Sequence, residues 1–311
     1  MNIYQEIWNC DMRNTGVKPL IKGISEDRKD KTKGFVVVDL ELEPQKVKGT
    51  DKVEIKVFKG NYIPEIESNK NPNGYELFKT ILDNYNANPP VSDEDTIKAI
   101  DNLLNYVIDT EVMEITKQYL DKRAGESCTR EDWWKILENI WFKNFNNKTD
   151  CSGFENIFIG EQGAGKNLGG HHFWYHYVIN DGPFDRYSVG DTVYSLKDIE
   201  VQRTESSNLA EVIKINYKYD SKDCENPNDL ELNKNFGAFF VGTSVEGLMA
   251  IITTAVIDTV INGVEDMNPV LNNKTYGLKT IIFSDSKPDT DNLLEHLKTI
   301  HLKTCYPILQ E

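Results

Sequence analysis

The chain has 311 residues, 39% hydrophobic and 10% aromatic, and a formal net charge of −15. The apolar share is enough to bury a core, which excludes a disordered tail or a collagenous rod, and the length fits one large domain or two lobes. The acidic balance excludes a general electrostatic grip on nucleic acid, so a polyanion would have to be held at a locally basic site.

The opening stretch, MNIYQEIWNC, has neither a basic start nor an apolar core, and no signal peptide is visible in it. Residues 23–34 and 43–52 are charged and polar. Residues 35–42 are rich in β-branched side chains, and Val53, Ile55 and Val57 alternate with Glu54 and Lys56. Two strands are predicted there, paired as a hairpin. Further on, Ser92 with Asp95 resembles a capping box. Ile97, Ile100, Leu103, Leu104, Val107 and Ile108 then keep helical spacing, so one face is buried. Thr129 opens a second helix, with Trp133, Ile136, Leu137, Ile140 and Trp141 on its structural face.

After residue 150 the texture changes to glycine, aromatic and β-branched residues. Strands are predicted at 154–159, 173–178, 211–219, 238–241, 278–283 and 299–306. One buried helix interrupts them, from Ser244 to about Ile261. The longest clean apolar run, between Gly247 and Asp258, is too short to span a bilayer. Helices followed by strands make an α+β pattern. Along the chain this gives an N-terminal segment with a hairpin (1–74), a helical lobe (75–150) and a β-rich lobe (151–311).

Cys10, Cys128, Cys151, Cys224 and Cys305 are odd in number, far apart and without a CxxC pair. Neither structural zinc nor a disulfide framework is expected, and a reduced, cytoplasmic setting fits.

The histidines fall in two clusters: His171, His172 and His176, then His296 and His301. The first follows a glycine-rich turn, Gly160-Glu-Gln-Gly-Ala-Gly165-Lys166-Asn167-Leu-Gly-Gly170. Three chemistries compete. Gly160-x4-Gly165-Lys166 opens like a phosphate loop, but Asn167 stands where Ser or Thr would hold magnesium, and a poor helix start follows. A metal site is the second. His172 and His176 are spaced i, i+4, yet on a strand they would lie ~13 Å apart, and a third ligand is missing. The third is proton transfer by histidine at a phosphodiester, with a lysine offsetting the charge of the phosphorane.

Here the residues reach a family. Cys151-Ser-Gly-Phe-Glu155-Asn156-Ile-Phe-Ile-Gly-Glu161 resembles the EndoU endoribonuclease signature SSGFEHVFVGE. Gly169-Gly-His-His172-Phe-Trp174 resembles their GFHNW block. Lys234-Asn-Phe-Gly237-Ala-Phe-Phe-Val-Gly242-Thr243-Ser244 is similar to their lysine block, and Thr304-Cys-Tyr306-Pro307 to their closing Tyr-Pro. Upstream, Leu82-Asp-Asn-Tyr85, Asp109-Thr110-Glu-Val-Met113 and Ile140-Trp141-Phe142 match in kind and order. The resemblance runs over about residues 75–307. It implies an α+β fold with a cleft between antiparallel sheets. It also implies cleavage of single-stranded RNA at uridines to leave 2′,3′-cyclic phosphate. Manganese often stimulates the family without being a fixed cofactor. The implied partner is single-stranded RNA, without DNA or a membrane.

Position by position, the resemblance makes His172 and Lys234 catalytic. Glu155 and Glu161 match supporting glutamates. Thr243, Ser244, Tyr306 and Trp174 are expected to bind substrate. Two departures stand out. The other catalytic histidine aligns with Asn156, which cannot carry a proton at neutral pH. The family's uridine-contacting serine aligns with Ala238. Three explanations fit Asn156: an engineered loss, a natural change with His171 or His176 supplying the proton, or an inactive module that binds RNA or a protein. His172, Lys234 and position 156 are expected to share a solvent-open cleft, because all must reach one phosphate.

Overall fold

The computed structural model describes residues 2–42, 45–46, 53–54, 56–64, 73–84, 94–144, 151–162, 168–179, 186–189, 192–203, 208–220, 231–286 and 291–309. In chain order they form α1 (Ile3–Asn14), β1 (Lys18–Ile21), β2 (Phe35–Val38), β3 (Gln45–Lys46), β4 (Val53–Glu54) and β5 (Phe58–Tyr62). Next come α2 (Gly74–Asn84), α3 (Glu94–Ile108), α4 (Glu111–Ala124) and α5 (Arg130–Phe142). A π-helical turn at Glu155–Ile159 precedes β6 (Glu161–Gln162), β7 (Leu168–Gly169) and the short α6 (Trp174–Ile179). There follow β8 (Arg186–Val189), β9 (Thr192–Arg203), β10 (Val212–Asp220), β11 (Glu231–Phe240) and α7 (Val245–Asn262). The chain ends in β12 (Asp266–Met267), β13 (Val270–Leu271), β14 (Lys274–Thr275), β15 (Gly277–Ser284), α8 (Leu293–Leu297) and β16 (Ile300–Ile308). This is an α+β fold.

Two compact units interleave along the chain. Unit 1 joins Met1–Gly16, Glu65–Glu155 and Thr243–Tyr306; unit 2 joins Val17–Pro64, Asn156–Gly242 and Pro307–Glu311. The sequential segments 1–74 and 151–311 therefore each supply both units.

Unit 1 is built on α7, which is apolar on nearly every side. By length and composition it could cross a membrane, but 89% of it is buried inside the protein, the pattern of a core helix. The Ser244 side chain caps its start and Gly263, in the left-handed region, ends it. The helices α1 and α4 pack on it. Tyr4 and Tyr119 donate hydroxyl protons to Asp258 at 2.7 and 2.5 Å, and the Trp141 indole donates to Thr253 at 3.0 Å. Helix α5 starts as its sequence predicts, with the Thr129 hydroxyl accepting from the Asp132 N–H at 3.1 Å. The strands β12, β15 and β16 form a sheet of this unit. Cys10, Cys128, Cys151 and Cys305 are buried thiols.

Unit 2 holds a sheet in the order β1-β2-β5 and an antiparallel sheet in the order β11-β10-β9-β8. The predicted hairpin is built differently. All four residues of β2 are buried, so the strand sits centrally and needs a partner on each edge. These are β1, in parallel, and β5, which begins at Phe58. Val53–Glu54 instead pairs with Gln45–Lys46.

Two further predicted strands are helical. Residues 154–159 fall largely in the π-helical turn and 173–178 largely in α6. Asn156, Ile157 and Phe158 are buried in succession, as are Trp174 through Tyr177. Burial without alternation carries no period of two, so aromatic and β-branched content misled there. The proposed cap at Ser92 lies outside the described residues.

Candidate functional site

Strand β11 positions Lys234. Against β10, Ile215 faces Gly237 and Tyr217 faces Lys234, so two steps on one strand meet three on the other. This β-bulge puts Lys234 on the same face as Gly237, where ordinary alternation would put it on the opposite one. A methyl group on Gly237 would lie 2.3 Å from the Ile215 carbonyl oxygen and 3.4 Å from the lysine Cε, so the glycine leaves the side chain its path. The Lys234 ammonium is buried and donates to the Gly170 carbonyl.

Gly170 makes the next link. It has φ of 60°, and a Cβ there would fall 1.9 Å from the Asn156 carbonyl oxygen. Only glycine allows the two backbones to approach this closely. The following N–H groups tie down the π-helical turn: His171 donates to the Asn156 carbonyl and His172 to the Ile157 carbonyl, both at 2.6 Å. Position 156 is thus joined to the histidine pair through the backbone.

Each ring is then fixed separately. The Nδ1 of His172 lies 2.8 Å from the Ala238 carbonyl, and that of His176 lies 3.0 Å from the Phe158 carbonyl. A carbonyl only accepts, so Nδ1 carries the proton in both, and the neutral ring has its lone pair at Nε2. His171 adopts φ of 61°, uncommon outside glycine. Its ring stacks on Tyr177 at 3.8 Å and 5° and lies 4.5 Å from the ring of His176. The Tyr177 hydroxyl donates to the His171 carbonyl at 3.2 Å. Burial, then the positive charge of Lys234, holds the His172 imidazole well below its ordinary range. Burial does the same to His171, helped by His176, Lys234 and His172, and brings His176 down to about 4.

The expected solvent-open cleft is not what the structure shows. Asn156, His172 and Lys234 are 3%, 3% and 2% exposed. The lysine turns inward to a carbonyl, as does His172, and His171 packs on the Tyr177 ring, so the group is enclosed. Expecting a strand at 173–178 also misplaced the histidines, since His176 on α6 meets His171 directly.

The remaining candidates are placed as follows. Trp174 is sealed, edge-on to Phe58 at 6.1 Å. Glu161 pairs with Gly169 in the short β6–β7 ladder. Glu155 belongs to unit 1, half-buried, its N–H donating to the Ser152 hydroxyl at 3.2 Å. Thr243, in unit 1, is sealed, and its carbonyl accepts from the Tyr75 hydroxyl at 3.3 Å. The Ser244 hydroxyl donates to Asp11 at 2.5 Å and accepts from the Gly247 N–H at 2.9 Å, which commits it to capping α7. Tyr306, on β16, is half-buried. Burial raises its hydroxyl pKa above the ordinary range. Among the described residues no group of three or more His, Cys, Asp or Glu side chains is placed to hold a metal ion. The phosphate-loop reading rests on residues 163–167, outside the described residues.

Sequence reasoning missed Tyr177 and the Ala238 carbonyl, and it gave Gly170 and Gly237 no role in positioning the site. The glycine pair before the histidines was the available signal. A backbone carbonyl leaves none, because any residue supplies it.

The structure is thus an α+β protein with a buried cluster of histidines and a lysine beside an antiparallel sheet. The family profile described as Endoribonuclease XendoU matches residues 18–289. The chain belongs to that family. It is 26% identical over 194 residues to the poly(U)-specific endoribonuclease-A of Xenopus laevis, covering 60% of this chain and 61% of the relative. It is 31% identical over 104 residues to the uridylate-specific endoribonuclease B of Danio rerio, covering 31% and 37%. The chain thus spans less than two thirds of the length of these relatives. A solved structure, described as that of XendoU, a splicing independent snoRNA processing endoribonuclease, superposes with a TM-score of 0.62. It covers 99% of this chain and 96% of its own at 19% identity, a likeness of fold.

Proposed function

We propose that the chain is an EndoU-type endoribonuclease that cuts single-stranded RNA at uridines and leaves 2′,3′-cyclic phosphate. The observation that carries this reading is the joining of His172 and Lys234 through one strand. Lys234 stands on β11, and the Ala238 carbonyl four residues on holds the His172 ring. His172 then takes the proton of the 2′-hydroxyl at Nε2. Lys234 balances the charge that builds on the phosphorane, an interaction worth most where water is excluded. Half-buried Tyr306 offers a ring for the nucleobase. With alanine at 238, any uridine preference has to come from other groups and is modest.

A second reading is an inactive EndoU-fold module that binds RNA or a protein. Asn156 favours it, because one proton-transferring group contributes about 10²–10⁴-fold. The test is cleavage of a short fluorescent uridine-containing RNA, with and without manganese, by the chain and by its Asn156→His variant. Cleavage with cyclic phosphate ends supports the enzyme. Binding without cleavage by either protein supports the module.

A further inference from the structure

We propose that His171 is the second proton-transferring group of this site, doing what Asn156 cannot. This rests on the endoribonuclease reading above. His171 is 7% exposed, and its Nε2 is buried without a hydrogen-bond partner. Leaving such an atom unpaired costs free energy, and so does a left-handed backbone at a non-glycine residue. Both costs fall on the residue whose N–H is bonded to Asn156. Its ring is clamped by Tyr177 and His176 from α6, and it feels Lys234 from β11 and His172 beside it. His176 differs from it in having its Nδ1 held by the Phe158 carbonyl, whereas the buried Nε2 of His171 has no partner.

The chemistry needs two such groups. In strand cleavage the bond between the 2′-oxygen and its proton breaks as the bond from that oxygen to phosphorus forms. The bond from phosphorus to the 5′-oxygen breaks, and the 5′-oxygen takes a proton. One imidazole gains the first proton and one imidazolium gives the second. Exchange with water then resets both rings. His172 is one of the pair and His171 the other.

The replacement that tests this is His171→Asn, since asparagine tolerates positive φ and cannot carry a proton at neutral pH. The substrate is a fluorescent uridine-containing RNA, read over a pH series. His171→Asn should lower kcat by about 10²-fold or more, leave KM within about twofold as expected for a group acting only in the chemical step, and remove one limb of the pH profile. Adding Asn156→His to His171→Asn should restore at least about tenfold of the rate, because a proton carrier returns at the position whose carbonyl the residue-171 N–H holds. That comparison is made within one backbone, so lost stability in His171→Asn does not confuse it. Unchanged kcat and pH profile in His171→Asn would overturn the assignment. An inert parent chain beside an active Asn156→His variant would also overturn it, with the endoribonuclease reading left standing. Absence of cleavage in every variant would overturn both.

Discussion

The Ala238 carbonyl decides which nitrogen of His172 carries the proton. It can only accept, so the ring must direct Nδ1–H toward it and keep its lone pair at Nε2. The holding group is backbone, so the small side chain of alanine does not loosen the ring. Lys234 is the second fixed point. Lys234→Met keeps the apolar stem and removes the charge. It should lower kcat by about 10²–10³-fold, the loss typical of one charge-stabilising donor. It should move the melting temperature little, because the relief of a buried ammonium offsets a carbonyl left short of a donor. An unchanged rate would remove Lys234 from the chemistry. Tyr306 is a separate case, half-buried on β16. Tyr306→Ala should weaken binding of a uridine oligonucleotide by about 1–3 kcal/mol, the usual value of an aromatic–base stack, with the melting temperature nearly unchanged. A large fall in melting temperature with RNA affinity intact would make it a core residue instead.

At the scale of elements, the helix α7 explains Ser244 better than substrate binding does. Both roles of its hydroxyl are taken, one by Asp11 and one by the helix N-terminus. Ser244→Ala should cost about 0.5–2 kcal/mol in denaturant melts. Asp11 is sealed beneath this cap. Burial, then the charge of Glu246, pushes its carboxyl from 3.8 up to about 7. The folded state therefore holds a proton that the unfolded chain has released. Stability from this group is fully present below about pH 4 and is lost as pH rises through about 7. Asp11→Asn should flatten that part of the stability profile, read as the difference from the parent between pH 5 and pH 8. An unchanged difference would mean that Asp11 is already ionised in the fold. The helices α5 and α7 were legible in the sequence because a cap residue and a helical or wholly apolar pattern agree there. The turn at 155–159 and α6 were not, since successive buried aromatic residues look the same in a strand and in a helix. His172 and Lys234 came from sequence blocks. The bulge that sets Lys234 on its face came only from strand register, which no local pattern in β11 announces.

For the whole molecule, the balance of 35 basic against 50 acidic residues limits how RNA can be held. A long track of phosphate contacts would have to work against a field of the wrong sign. A short strand gripped at one scissile phosphate and its neighbours does not. The salt dependence of binding separates these cases, since for single strands the slope of log K against log salt is about −0.7 per neutralised phosphate. With a non-cleavable oligonucleotide carrying 2′-deoxyuridine, the slope should lie between about −0.7 and −2.1, which corresponds to one to three phosphates. Lys234→Met should make it shallower by about 0.7 if that ammonium meets a phosphate. A slope steeper than about −4 would mean an extended basic track and a wider RNA footprint than one site needs. A slope that ignores Lys234→Met would separate binding from the histidine–lysine cluster and favour the module that binds without cutting.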